Sequence, residues 1–402
     1  MVYLDSAATT FIDPEAINII NKSLKEDYIN PSAIYNEGRN KFNDIQECKK
    51  RIANNLHIMN GYDKIYFTSG GCEGNSWIIK GCVAEYYRYH THEGLIHNNF
   101  SSDIKKPHII TTSFEHHSVL NACKQLEDLG LAKITYLQPN PQTGIINIDD
   151  IRAHISTIKD DYCTILVSVM WINNVLGTIQ PIEQIGKLCQ HNFIKFHTDA
   201  VQAVGNVYID LTQHHIDFMT VSGHKFHAPK GIGFVYIKDK RYIQPLISGG
   251  GQEFGMRAGT ENLPYIKAIT YCLEKYNNKK LIDSKKIYIE KLKSELSNYA
   301  LSGNNCMVLL SSYGIGTINI AFKDLMSDIL VYNLGERGYM VSIGSACDNG
   351  NFEDNYVLSA LKYPKDYIGG NIRITFNEFN TIDEINNFIK ILKEEVVKMR
   401  GY

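Results

Sequence analysis

The sequence predicts an α/β protein, with a large unit built on a mainly parallel seven-stranded sheet and a smaller α+β C-terminal unit. Three observations carry this. Between residues 64 and 238, seven short β-rich runs alternate with helix-like stretches. Several of these runs are nearly continuous in apolar residues, as strands covered on both faces are. After about residue 263 the alternation stops, and long helical stretches with fewer strands take over.

In chain order the strands are expected at 64–70, 108–114, 133–138, 164–171, 194–198, 218–222 and 233–237. Helices fit between most of them, as at 75–89 and 181–191, so the strands need crossovers and the sheet is mostly parallel. A ligand site then belongs at the strand C-termini. The C-terminal unit opens with helical stretches at 264–276 and 284–299 and closes with one at 381–399. Residues 86–107 are polar and rich in histidine and asparagine, which suggests a surface insertion. No internal repeat or low-complexity linker is visible.

The chain has 402 residues, 44% of them hydrophobic and 21% charged, which is ordinary globular composition. A net charge of −2 offers no electrostatic basis for binding nucleic acid or an acidic membrane. No apolar run is long enough to cross a bilayer. Val2-Tyr3-Leu4 is already strand-like, so no targeting peptide is expected ahead of the fold. Nine cysteines, none in a C-x-x-C pair, fit reduced thiols in a cytoplasmic setting. Cys82, Cys123, Cys189 and Cys272 sit in helix-like stretches and are expected to be small buried hydrophobes.

Four strand ends carry chemistry. Thr68-Ser69-Gly70-Gly71-Cys72-Glu73-Gly74 follows a strand and opens a helix; its amides suit a phosphate, and the alternative is a plain strand–helix turn. It is neither a Walker loop nor a dinucleotide fingerprint, which argues against a dehydrogenase. Glu115-His116-His117 places an imidazole where it can stack on a ring and move a proton; His116 and His117 are hard to separate here. Asp199, in His197-Thr198-Asp199, either holds a pyridine nitrogen protonated or caps the next helix. Lys225, in Ser222-Gly223-His224-Lys225, can form a Schiff base with an aldehyde cofactor; an isolated lysine here would be a solvated charge. Ser222 and His224 add donors for the phosphate.

Far downstream, Cys347 lies in Ser345-Ala346-Cys347-Asp348-Asn349-Gly350, a loop of small and polar residues that cannot bury a thiol. An exposed thiol with a lowered pKa is a nucleophile; the alternative, an incidental surface cysteine, is unusual. His90, His92, Glu93 and His97 lack convincing metal-ligand spacing, and no metal is expected. His214-His215 reads as a structural pair.

Taken in order, these motifs resemble the cysteine desulfurase family (NifS/IscS-like), in the class V aminotransferase group of fold-type I pyridoxal-phosphate enzymes. The resemblance spans nearly the whole chain. It includes Tyr3-Leu4-Asp5-Ser6-Ala7-Ala8-Thr9-Thr10, Asn173-Asn174, Gly249-Gly250-Gly251-Gln252-Glu253, Arg257-Ala258-Gly259-Thr260 and Asn371-Ile372-Arg373. It implies a large cofactor-binding unit over 16–278 and a small unit of 1–15 plus 279–402 that carries the cysteine loop.

The resemblance also implies roles. Lys225 is the Schiff-base lysine, and Asp199 partners the pyridine nitrogen of pyridoxal 5'-phosphate. Asn174 and Gln202 contact the phenolic oxygen, and His116 stacks on the ring. Gly71, Cys72, Ser222 and His224 hold the phosphate, helped by Thr260 from the other subunit of a homodimer. Asn174 and Arg373 bind the substrate L-cysteine, Arg373 by its carboxylate. Cys347 takes the sulfur as a persulfide and leaves alanine. The setting of Cys347 resembles the subgroup that passes sulfur to iron–sulfur scaffolds or tRNA-thiolation enzymes.

Three positions depart from that pattern. Cys72 stands where relatives usually have threonine, Trp171 where histidine is common, and Glu378 where arginine is common. The alternatives are a selenocysteine lyase or other aminotransferase-like enzyme with the same cofactor, and a non-catalytic sulfur-relay scaffold.

Overall fold

All seven expected strands form, and they join in one sheet. The computed structural model describes residues 1–58, 61–96, 104–158, 161–301, 306–309, 316–343 and 355–401. After a short β1 (Val2–Tyr3), the sheet strands are β2 (Ile65–Thr68), β3 (Lys106–Thr112), β4 (Lys133–Leu137) and β5 (Tyr162–Ser168). They continue with β6 (Lys195–Asp199), β7 (Phe218–Ser222) and β8 (Gly233–Ile237), in the spatial order β2-β8-β7-β6-β5-β3-β4.

Strands β7, β6, β5, β3 and β4 pair in parallel, while β8 opposes both its neighbours. Because β2 and β7 both oppose β8, they point the same way. The C-terminal ends of β2, β7, β6, β5 and β3 therefore share one edge of the sheet.

Both faces are covered, which explains the apolar runs. Along β2, Ile65 and Phe67 enter one core with Ile45, Ile52 and Phe234, while Tyr66 faces another with Trp77, Val119 and Val235. The first strand is shorter than expected. Tyr62–Lys64 is a 3-10 turn, and Gly70, at φ +151°, swings the chain into the next helix.

That helix, Gly71–Ile96, runs further than expected because no proline interrupts it. Its last turns occupy the first half of the 86–107 stretch, which is therefore helix rather than insertion up to Ile96; residues 97–103 lie outside the described residues. Several helices were not anticipated, among them Pro14–Glu26, Asn36–Asn55 and Ser327–Glu336. Pro14–Glu26 has proline in its first turn and is capped by the Asp13 carboxylate, which accepts from Glu15 N at 2.8 Å. Asn36–Asn55 is mostly polar and buries only a narrow stripe that includes Ile45, Cys48 and Ile52.

In the C-terminal part, β10 (Thr317–Phe322) lies antiparallel between β9 (Cys306–Leu309) and β12 (Asn371–Thr375). Strand β1 pairs with β11 (Tyr339–Met340), and Asp5 bridges to Thr375, so the first residues of the chain extend these strands. The closing helix Ile382–Met399 begins with a Thr381/Glu384 capping box and buries Ile385, Phe388, Leu392 and Val396 against Leu4, Ile318 and Ile372. Arg373, central in β12, is thereby carried to the edge of the large sheet.

Candidate active site

A cavity of about 310 Å³ opens where the strand ends converge. Gly71, Cys72, His116, Asn174, Asp199, Gln202, Ser222, His224, Lys225 and Arg373 all line it. Thr260, expected from the other subunit of a homodimer, is exposed and does not line this chain's own cavity, and Cys347 lies outside the described residues.

Lys225 follows β7 in a single 3-10 turn and is partly buried, not a solvated surface charge. Its Nζ donates to the Ala7 and Ala8 carbonyls at 2.6 and 2.8 Å. The Ala7 carbonyl also accepts from Gln202 Nε2 at 2.9 Å, so the N-terminal segment roofs the site.

Asp199, at the end of β6, is buried. One oxygen, Oδ1, accepts from Val201 N at 2.9 Å; the chain there forms turns, not the helix that a capping role would have required. The other, Oδ2, accepts from Asn75 Nδ2 at 2.7 Å. The same amide donates to Ser118 Oγ at 2.9 Å, and Ser118 Oγ lies 2.8 Å from His116 Nδ1. His116 is the N-cap of helix His117–Asp128, its Nδ1 accepting from Ser118 N at 3.1 Å. That cap separates it from His117, whose ring packs 4.5 Å from Tyr356. Sequence reasoning missed Asn75 and Ser118, polar residues in the first turns of two helices that start at the sheet edge; Asn75 is buried and Ser118 partly so.

The phosphate-like end is built by the start of helix Gly71–Ile96. A Cβ on Gly71 would fall 2.8 Å from Val201 Cγ2, so only glycine leaves that approach open. Glu73 ties the turn down: it accepts from Ser69 N at 2.7 Å and pairs with Arg257 at 2.8 Å. His224 is held uncharged, its pKa pushed down to about 4 by burial and then by Lys225 and Lys230. Cys72 is exposed to the cavity.

Opposite, Arg373 is buried, with Nη2 2.8 Å from Asp5 Oδ1 and Nη1 donating to the Asn174 carbonyl at 3.0 Å. Asn174 Oδ1 is buried without a hydrogen-bond partner among the described residues, so it faces the cavity as an acceptor awaiting a donor. Beneath His116, Glu115 is fully buried; burial pushes its carboxyl up to about 8, despite bonds from Met170 N at 2.9 Å and Thr112 Oγ1 at 2.8 Å. Trp171 is in the core with its ring 4.9 Å from His214, so that departure does not touch the cavity. Cys82, Cys123, Cys189 and Cys272 are buried as expected.

This is the architecture of a pyridoxal-phosphate-type fold, and the comparisons agree: the chain belongs to the aminotransferase class-V family, whose family model matches residues 2–388. It is 36% identical to the cysteine desulfurase IscS of Methanosarcina thermophila over 406 residues, covering 100% of this chain and 93% of that one. A solved NifS-like protein superposes with a TM-score of 0.83 at 28% identity, 99% of each chain being covered. A structure of SspA in complex with cysteine gives a TM-score of 0.75 at 29% identity, covering 95% of this chain and 100% of that one. No helix among the described residues is long and apolar enough to cross a membrane.

Proposed function

We propose that the protein is a cytoplasmic, homodimeric cysteine desulfurase that converts L-cysteine to L-alanine with pyridoxal 5'-phosphate. The sulfur would pass to Cys347 as a persulfide and then to a protein acceptor for iron–sulfur assembly or tRNA thiolation. The observation that carries this reading is one cavity lined by an amine, a buried carboxylate, an imidazole, a helix start and a buried guanidinium. The division into 16–278 and 1–15 plus 279–402 belongs to the same proposal, and the pairing of β1 with β11 supports it.

The residues present fit the cofactor. Asn174 Oδ1, unpartnered among the described residues, offers an acceptor to a polar group, and the absence of a Cβ at Gly71 leaves the start of the helix open to a phosphate. When bound, the pyridine ring serves as an electron sink for the substrate's Cα. Gly71, Cys72, Ser222 and His224, with Thr260 of the partner subunit, would hold the phosphate. Asp199 would hold a proton at the ring nitrogen, and Asn174 and Gln202 would contact the phenolic oxygen.

Lys225 would anchor the aldehyde and then carry a proton at its amine. Arg373 would bind the substrate carboxylate in a planar fork, oriented by Asp5 and the Asn174 carbonyl. The Cys347 thiolate would attack the substrate sulfur. The new S–S bond forms as the Cβ–S bond breaks; that electron pair stays with carbon, which takes a proton and leaves as alanine.

A visible spectrum before and after cysteine tests cofactor and substrate together. Lys225→Ala should abolish the covalent attachment of cofactor that borohydride would otherwise fix. Cys347→Ala should keep the yellow colour and stop sulfide release under reductant. Wild-type rates in Cys347→Ala would remove the persulfide step.

A further inference from the structure

The side chains of Asp199 and His116 are joined by a single amide. Asn75 is buried in the first turns of helix Gly71–Ile96, and both its N–H groups are used, one on Asp199 Oδ2 and one on Ser118 Oγ. The amide cannot be turned over: that would set its oxygen 2.7 Å from a carboxylate oxygen, acceptor against acceptor. Ser118 Oγ therefore accepts from Asn75, which leaves its own proton for His116 Nδ1 at 2.8 Å. The Ser118 backbone N–H, which can only donate, also points at Nδ1, at 3.1 Å. Two donors on one ring nitrogen require a lone pair there, so the imidazole proton is on Nε2.

We propose that Asn75 and Ser118 are positioning residues that hold Asp199 as an acceptor and His116 as its neutral Nε2–H tautomer, coupling the two groups. The proposal rests on the desulfurase reading for its catalytic meaning, while the tautomer itself does not. A ring locked in this way can give a proton at Nε2 but cannot accept one there first, so His116 would serve as a donor before it serves as a base. Charging the ring at Nδ1 would require both Ser118 donors to turn away. The titratable groups facing it are Asp199, Lys225 and His117; burial lowers its pKa, Asp199 opposes that, and Lys225 and His117 reinforce it.

The test uses full-length protein with 15N-labelled histidine, with and without cofactor, His116 being assigned by its loss in His116→Gln. In cofactor-free wild type, His116 should show the Nε2–H tautomer and stay neutral well below the usual histidine pKa of about 6.5. In Ser118→Ala and Asn75→Ala the ring should titrate closer to that value. In the loaded enzyme, Asn75→Ala should lower kcat roughly tenfold or more with KM nearly unchanged. Adding Ser118→Ala to it should cost little further, because the two act in one chain.

A wild-type His116 protonated on Nδ1, an unmoved titration in both variants, or fully multiplicative rate losses would each overturn the proposal. If Asn75→Ala does not fold, Ser118→Ala decides alone, by whether the ring titration moves. Failure of wild type to take up pyridoxal phosphate would instead overturn the desulfurase reading, and the tautomer spectrum would still judge the lock.

Discussion

Glu378 Oε1 lies 3.1 Å from His227 Nε2, and its Oε2 lies 2.9 Å from Lys285 Nζ. His227 stands two residues beyond Lys225, at φ +67°, with its ring 4.4 Å from Tyr276. The departure at Glu378 is thus a buried ion-pair cluster that ties the end of β12 to the lysine-bearing segment. Burial alone would raise the Glu378 carboxyl, but the His227 hydrogen bond and the Lys285 charge hold it at about 2.

A depressed carboxylate contributes stability that is present above its unfolded value of 4.5 and is lost as pH falls through about 2. Wild type should therefore lose stability between pH 4.5 and 2, and Glu378→Gln should lack that part of the slope. Near neutral pH, Glu378→Gln should be less stable by roughly 3 kcal/mol. Denaturant melts across that pH range check both, and parallel pH curves for the two proteins would refute the assignment.

Glu115 has the opposite sign. Its folded pKa is raised from 4.5 to about 8, so its favourable contribution is present below pH 4.5 and is lost as pH rises through 8. Glu115→Gln keeps the shape of the neutral acid and should flatten the decline in stability between pH 5 and 8. Thermal denaturation over that interval gives the answer.

Arg373 is the substrate clamp of the proposed reaction. Arg373→Ala should raise KM for cysteine roughly 10- to 100-fold, the worth of a charge-assisted hydrogen bond of about 1.5–3 kcal/mol. Arg373→Lys should restore little, because an ammonium cannot reproduce a planar fork held at once by Asp5 and Asn174. Asp5→Asn should raise KM by less than Arg373→Ala. An unchanged KM in Arg373→Ala would place the carboxylate elsewhere.

Lys49 and Glu253 form a buried pair, the side chains 1% and 3% exposed, with Nζ also 5.1 Å from the Phe254 ring. Glu253 and Phe254 both have left-handed backbone, at φ +49° and +57°, so the pair holds a strained turn of the segment that carries Thr260. Lys49→Met leaves a buried carboxylate without its counter-charge and should cost about 3–5 kcal/mol. Adding Glu253→Gln should return part of that loss in the same melts.

Much of the site was legible. Lys225, Asp199, His116 and the Gly71–Cys72 turn each follow an apolar run, and strand ends in a parallel sheet share an edge. The long helices Pro14–Glu26 and Asn36–Asn55 were not legible, because their apolar stripes are narrow and interrupted by charge. Asn75 and Ser118 were missed for another reason: nothing in a local pattern tells a buried amide from a solvated one.

What the sequence determined by itself was the kind of chemistry. Strand periodicity, turn residues and the order of polar groups after each strand are local, and they place an amine, a carboxylate, an imidazole and a guanidinium at element ends. Only the tertiary structure decided how those groups are wired. The hydrogen bond from Asn75 to Asp199 spans 124 positions, and the pair of Arg373 with Asp5 spans 368. Contacts of that reach follow from strand order and from how β12 is carried to the sheet edge, which short-range propensities do not encode.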